Sequence, residues 1–67
     1  MKQRAFRITV RGRLSDRFAS AFDGMTLEAG QGNTALVSGP IDQSQLHGVL
    51  KRIQDFGLEL VSVEEAR

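Results

Sequence analysis

The sequence predicts an α+β fold in which a four-stranded antiparallel sheet carries two helices on one face. Stretches of alternating apolar and polar residues predict strands, and apolar residues three or four positions apart predict helices. The two patterns occur in the order strand, helix, strand, strand, helix, strand, with turn-forming residues between them. The chain has 67 residues, so we expect residues 1–67 to form a single domain.

The first strand is predicted over residues 4–13, where apolar residues of one parity alternate with arginines and a threonine of the other. A short helix is predicted next, because Ser15 is a candidate N-cap residue and apolar side chains follow at helical spacing before Gly24. The apolar residues are Phe6, Ile8 and Val10 in the strand, and Phe18, Ala21 and Phe22 in the helix.

The middle of the chain predicts a β-hairpin. Residues 25–29 and 34–38 are the two strands, and residues 30–33, Gly-Gln-Gly-Asn, form the loop between them. Glycine and asparagine tolerate the left-handed backbone that a tight loop requires.

A second helix is predicted from Asp42, because Asp42 and Gln45 have the spacing of a capping box. Gly57 is placed to end this helix, and the aliphatic residues 58–63 predict the last strand. The apolar stripe of the helix, expected to pack on the first strand, consists of Leu46, Val49, Leu50, Ile53 and Phe56.

This order of elements is that of the ferredoxin-like βαββαβ sandwich. Two right-handed β-α-β crossovers joined by a hairpin give a sheet of order 4-1-3-2 with both helices on one face. The sequence does not decide which parity of the third and fourth strands faces the helices, because both parities carry apolar residues.

Two segments resemble a known group of proteins. They are Leu46-His47-Gly48-Val49-Leu50 and residues 56–63, Phe-Gly-Leu-Glu-Leu-Val-Ser-Val. They are similar to the Leu-His-Gly-Leu-Leu helix and the closing Gly-Leu-x-Leu-x-Ser-Val strand of short, uncharacterised, mainly actinobacterial proteins, a resemblance that implies no activity. The helix that stops at Gly57, followed by the Leu-x-Leu-x-Ser-Val strand, is more distantly similar to the end of ACT regulatory domains. This resemblance implies small-molecule-binding regulation as an alternative function.

The composition gives few groups for chemistry. With no cysteine and one histidine, the chain has neither a disulfide framework nor a Cys/His metal cage. His47 is the natural candidate for titration near neutral pH, and no carboxylate lies at helical spacing to orient it. We therefore expect no enzymatic activity and no cofactor.

The charge is balanced overall, with nine basic and eight acidic residues, but six of the basic residues lie in the first quarter of the chain. Arg7, Thr9 and Arg11 would line the open sheet face, where a ferredoxin-like RNA-binding domain contacts its ligand. Such domains stack bases on aromatic side chains, and this chain has no Trp or Tyr. Cross-strand pairing of the arginines with Glu59 and Glu65 is favoured over nucleic-acid binding.

The turn after the first strand is a candidate site for a small anionic ligand. Gly12, Arg13 and Ser15 would bring backbone amides, a cation and a hydroxyl to a helix N-terminus. A tight turn between a strand and a helix requires the same residue types, so both interpretations stay open.

The last strand carries apolar residues on both parities, so the open sheet face is expected to be partly apolar. This predicts an interface built from Arg7, Thr9, Arg11, Val61 and Val63, and a homodimer. The leading function is a non-enzymatic interaction or oligomerisation module with an unknown client or ligand. No apolar run suits a signal peptide or membrane span, so a cytoplasmic location is expected.

Overall fold

One antiparallel sheet with a helix packed on it makes up most of the molecule. The computed structural model describes residues 3–14, 18, 20–22 and 24–66. Its strands are β1 (Ala5–Arg11), β2 (Thr26–Ala29), β3 (Asn33–Val37) and β4 (Leu60–Ala66), and its helices are a 3-10 helix (Ser20–Phe22) and α1 (Gln43–Asp55). The strands lie in the order β2-β3-β1-β4, and all neighbours are antiparallel.

The predicted ferredoxin-like βαββαβ sandwich with two full helices is wrong, because Gln43–Asp55 is the one α-helix of more than a single residue in the described part of the chain. Of the predicted first helix, the structure describes the helical residue Phe18 and the 3-10 helix Ser20–Phe22, whereas residues 15–17, 19 and 23 lie outside the described residues. Phe22 is 2% exposed, so the 3-10 helix brings its side chain into the core. Gly24, at φ +80°, then turns the chain toward β2. Counted from the β4 edge, the strand order reads 4-1-3-2. The correction to the predicted fold therefore concerns its helices.

The core lies between α1 and the centre of the sheet. Ile53 is the buried residue of α1, and its buried neighbours come from β1, β3 and the 3-10 helix. The predicted packing of the apolar stripe is confirmed for Ile53 and for Leu46, Val49 and Leu50, which are partly buried against this core. Phe56 differs: it is 38% exposed, and its ring contacts that of Phe22 at a centroid distance of 6.0 Å. The buried cluster consists of Ile8, Val10, Phe22, Leu36 and Ile53.

Both predicted ends of α1 are confirmed. The Gln45 amide donates to the Asp42 carboxylate at 2.8 Å, and the Gln45 side chain accepts from the Asp42 amide at 3.0 Å, which is a capping box. At the other end Gly57 has φ +72°. The amides of Gly57 and Leu58 donate to the carbonyls of Gln54 and Ile53 at 3.0 Å, which is the Schellman motif. Leu58 therefore belongs to the helix end and not to the strand.

The register of the sheet shows which side chains face α1. Ile8 of β1 pairs with Leu36 of β3 and with Val63 of β4, and Leu36 pairs in turn with Leu27. Directly opposite residues share one face of an antiparallel sheet. Because Ile8 and Leu36 are fully buried, this row lies on the helix-covered face.

The opposite, open face carries a second row that includes Thr9, Ser62, Ala35 and Glu28. The pairing of β1 with β4 shifts here, since Thr9 pairs with Ser62 while Val10 pairs with Leu60. Val61 is the extra residue of this β-bulge, which strengthens the local twist of the edge strand.

No helix within the described ranges has both the length and the apolar character needed to cross a bilayer.

Candidate interaction surface at the β4 edge

Four charged side chains of the open sheet face form two ion pairs. Arg7 contacts Glu28 at 2.7 Å, and Arg11 contacts Glu59 at 3.3 Å. The predicted pairing of a first-strand arginine with Glu59 is thus confirmed. These side chains are well exposed, so each ion pair contributes at most about 1 kcal/mol to stability. The pairs make the open face a polar surface.

Glu65 pairs differently from Glu59. It contacts Arg4 at 2.9 Å, and its register partner in β1 is Phe6, so it lies in a row on the α1 side. Glu64 lies opposite Arg7 on the open face, but Arg7 is directed to Glu28.

The structure separates the five residues of the predicted interface into two groups. Arg7, Thr9 and Arg11 lie on the open face. Val63 lies in the row of the buried Ile8, on the α1 side, and Val61 is the bulge residue at the outer strand. The valines and the arginines are therefore not parts of one continuous patch.

Three large apolar side chains are exposed on β4, which is an edge strand. Leu60 is 45% exposed, Val61 47% and Val63 37%; we call these three residues the edge cluster. α1 packs over β1 and β3, so β4 lies at the margin of the helix-covered area. Exposed apolar groups that adjoin one another in this way mark an interaction surface more often than single exposed residues do.

A groove separates α1 from the start of β4 and adjoins the edge cluster. Its volume is about 630 Å³, and its apolar lining comes from Leu50, Ile53, Leu58 and Leu60. The α1 wall also carries polar side chains, which lie on one flank because they are three or four positions apart. These are His47, Lys51 and Gln54; we call the cleft the α1–β4 groove.

Sequence reasoning missed this groove, although one signal for it was present. His47, Lys51 and Gln54 border the apolar stripe at helical spacing, on the flank that carries Leu50. The distance between that flank and β4 depends on where the helix packs on the sheet, and no local pattern gives that distance.

Of the residues of the candidate anion site, Gly12 has a structural role. Gly12 has φ +87°, its amide donates to the Gly32 carbonyl at 2.6 Å, and its own carbonyl accepts from Thr34 at 2.8 Å. The Gly12 amide is therefore already engaged. Arg13 is exposed, and Ser15 lies outside the described residues.

Metal-ligating groups are dispersed in the part of the chain that the structure describes. No group of three or more His, Asp or Glu residues there is arranged to hold a metal ion. His47 is exposed on the wall of the groove and has neighbours of neutral or positive charge, including Lys51.

These features define a small α+β domain in which one helix covers a four-stranded antiparallel sheet and leaves one long edge apolar. The chain belongs to the DUF8691 family, a domain of unknown function whose model matches residues 5–64. No curated protein and no solved structure matches the chain. The family carries no assigned activity, and nothing in these comparisons bears on an actinobacterial origin or on a relation to ACT domains.

Proposed function

We propose that this domain is a non-enzymatic interaction module that forms a homodimer through the β4 edge. The observation that carries the proposal is the edge cluster, three exposed apolar side chains on the outermost strand. An edge strand also presents backbone N–H and C=O groups that have no neighbouring strand. Pairing with a second strand would satisfy these groups and bury the cluster at the same time.

The edge has few of the features that keep natural edges from pairing. Protected edges are short, carry charged residues or proline, or are twisted away by a β-bulge. β4 has the bulge at Val61, but it spans seven residues, contains neither lysine nor proline, and has its charges at Glu64 and Glu65, near one end. Apart from the bulge, the stretch formed by the edge cluster is therefore unprotected against another strand.

A second copy of the chain is the partner that fits this edge best. Two β4 strands running antiparallel about a two-fold axis present the same surface to each other, so the apolar side chains of one copy meet those of the other. The formal charge of each copy is +1, so the two copies repel each other little. A domain this small also gains from added burial, because a single small core gives only about 3–5 kcal/mol of net stability.

The test is the association state of the parent chain and of Val61→Glu at matched concentration, measured by analytical ultracentrifugation. We expect a dimeric parent and a monomeric variant, because the substitution would bury a carboxylate of each copy without a partner. Thr26→Glu, which places the same charge on exposed β2, is the control and should stay dimeric. A monomeric parent, or a Val61→Glu dimer as tight as the parent's, would refute the proposal.

A further inference from the structure

The α1–β4 groove carries a cation, Lys51, on its helical wall. Lys51 and His47 lie along its rim, and none of the described residues that line it is acidic. Lys51 makes no ion pair with the part of the chain that the structure describes. The groove thus combines an apolar floor with a cation at its edge. Because apolar side chains can fill the floor and a carboxylate can pair with the cation, the groove suits an extended segment with apolar residues followed by a carboxylate.

β4 itself is such a segment. The side chains of Val63 and Glu65 both lie on its α1 side, where Val63 pairs with Ile8 and Glu65 pairs with Phe6. The Glu65 side chain is 53% exposed and uses one carboxylate oxygen, Oε2, to contact Arg4 at 2.9 Å. Its second oxygen has no hydrogen bond to the described residues, so it can accept one from a second cation.

The symmetry of an antiparallel dimer places Glu65 of the second copy beside the groove. A two-fold axis turns one β4 strand end over end relative to the other. If the axis passes through Val63, position 65 of the second copy comes opposite position 61 of the first, within β4. An axis through Ser62 would place Glu65 opposite Glu59, a like charge, and is disfavoured. Position 61 adjoins Leu60, which lines the groove.

We infer that the α1–β4 groove receives the acidic end of β4 from a second copy, with Glu65 of one copy contacting Lys51 of the other. This inference rests on the proposed homodimer and adds its geometry, namely antiparallel β4 strands with two symmetric ion pairs. Such pairs fix the orientation and register of an interface more than its affinity. The groove then serves as a recognition site for the domain's own edge strand.

The test reverses the two charges separately and then mixes the variants. Lys51→Glu alone places like charges at both contacts of its homodimer, and so does Glu65→Lys alone. In the mixed dimer one contact joins the two substituted side chains, which again carry opposite charges, and the other contact retains the native Lys51 and Glu65. We expect each variant homodimer to be about tenfold weaker than the parent, and the one-to-one mixture to form a heterodimer close to parental strength.

Arg13→Glu is the matched control, because Arg13 is an exposed arginine outside the groove, and its homodimer should keep the parental affinity. Thermal melts of both reversed variants check folding, since Glu65→Lys also removes the contact with Arg4. If the parent and both reversed variants dimerise equally and the mixture shows no preference for the heterodimer, the groove does not hold Glu65, although the homodimer stands. A monomeric parent overturns the homodimer and this inference together.

Discussion

The two edges of the sheet differ in how they are protected. β2 spans four residues, and its Leu27 is partly buried against the core. Its Glu28 forms an ion pair with Arg7 across the open face. β4 spans seven residues and exposes the edge cluster. The contrast shows that the two edges differ in length and in where their apolar side chains point, and that β4 is the more exposed of the two.

The position of α1 accounts for much of the difference. On the β2 side, Met25, Leu27 and Phe22 pack into one cluster with the helix stripe. On the β4 side, the Schellman motif ends the helix at Gly57 and leaves the α1–β4 groove between the helix and Leu60. The apolar side chains of β4 therefore lack the intramolecular cover that those of β2 receive.

The largest effect on stability is expected from a substitution that removes the contact between α1 and the centre of the sheet. Ile53→Ala should lower the free energy of unfolding by about 2–5 kcal/mol, because Ile53 is 2% exposed and packs on the centre of the sheet. Denaturant unfolding measures this loss, and Ile53→Val should lose about 0.5–1.5 kcal/mol. An Ile53→Ala variant as stable as the parent would contradict the core assignment.

A smaller effect on stability is expected from a substitution in the turn between α1 and β4. Gly57→Ala should destabilise the fold by about 1–2 kcal/mol, because φ at this position is +72° and a residue with a Cβ is strained there. Gly48→Ala is the matched comparison. It lies inside α1 with nothing within 4 Å of an added Cβ, so it should stabilise the fold by about 0.5–1 kcal/mol. Equal effects of the two substitutions on the melting temperature would argue against this account of the helix end.

The smallest effect is expected from a double substitution that tests whether the short length of β2 keeps this edge from pairing with another strand. Adding an apolar residue to β2 in the monomeric background, as in Thr26→Val with Val61→Glu, should leave the chain monomeric, because a four-residue edge offers few pairing groups. Ultracentrifugation at the concentration used for the parent measures this. A dimer formed by the double variant would show that apolar character alone opens an edge.

Local signals predicted much of the fold. The alternation around Ile8 indicated the central strand, the pair Asp42 and Gln45 indicated the start of α1, and Gly57 indicated its end. Each of these signals acts over a few residues, so the sequence displays it directly. The first helix was predicted wrongly, since the part that buries Phe22 is the 3-10 helix Ser20–Phe22. Apolar residues at three-to-four spacing before Gly24 suit a 3-10 turn as well as an α-helix.

The candidate surface was harder to predict because it depends on long-range pairing. The parity of β4 is fixed by the pairing of Val63 with Ile8, and the bulge at Val61 changes that parity within the strand. Sequence alternation left the parity of β4 open, and the predicted interface placed both valines beside Arg7. The apolar character of β4 was predicted, whereas its face and the adjoining groove required the register and the helix position.

The place of β1 in the sheet also affects how the chain folds while it is being synthesised. β1 is made first but lies between β3 and β4, and the contact of Arg4 with Glu65 joins positions 61 residues apart. The ribosome releases β2, β3 and α1 before β4, so a nascent chain leaves one side of β1 without a neighbour until the last strand emerges. Contacts so distant along the chain slow folding, and an unpaired central strand is prone to aggregation. Docking of β4 on β1 therefore ends the period in which the central strand of the nascent domain lacks a neighbour.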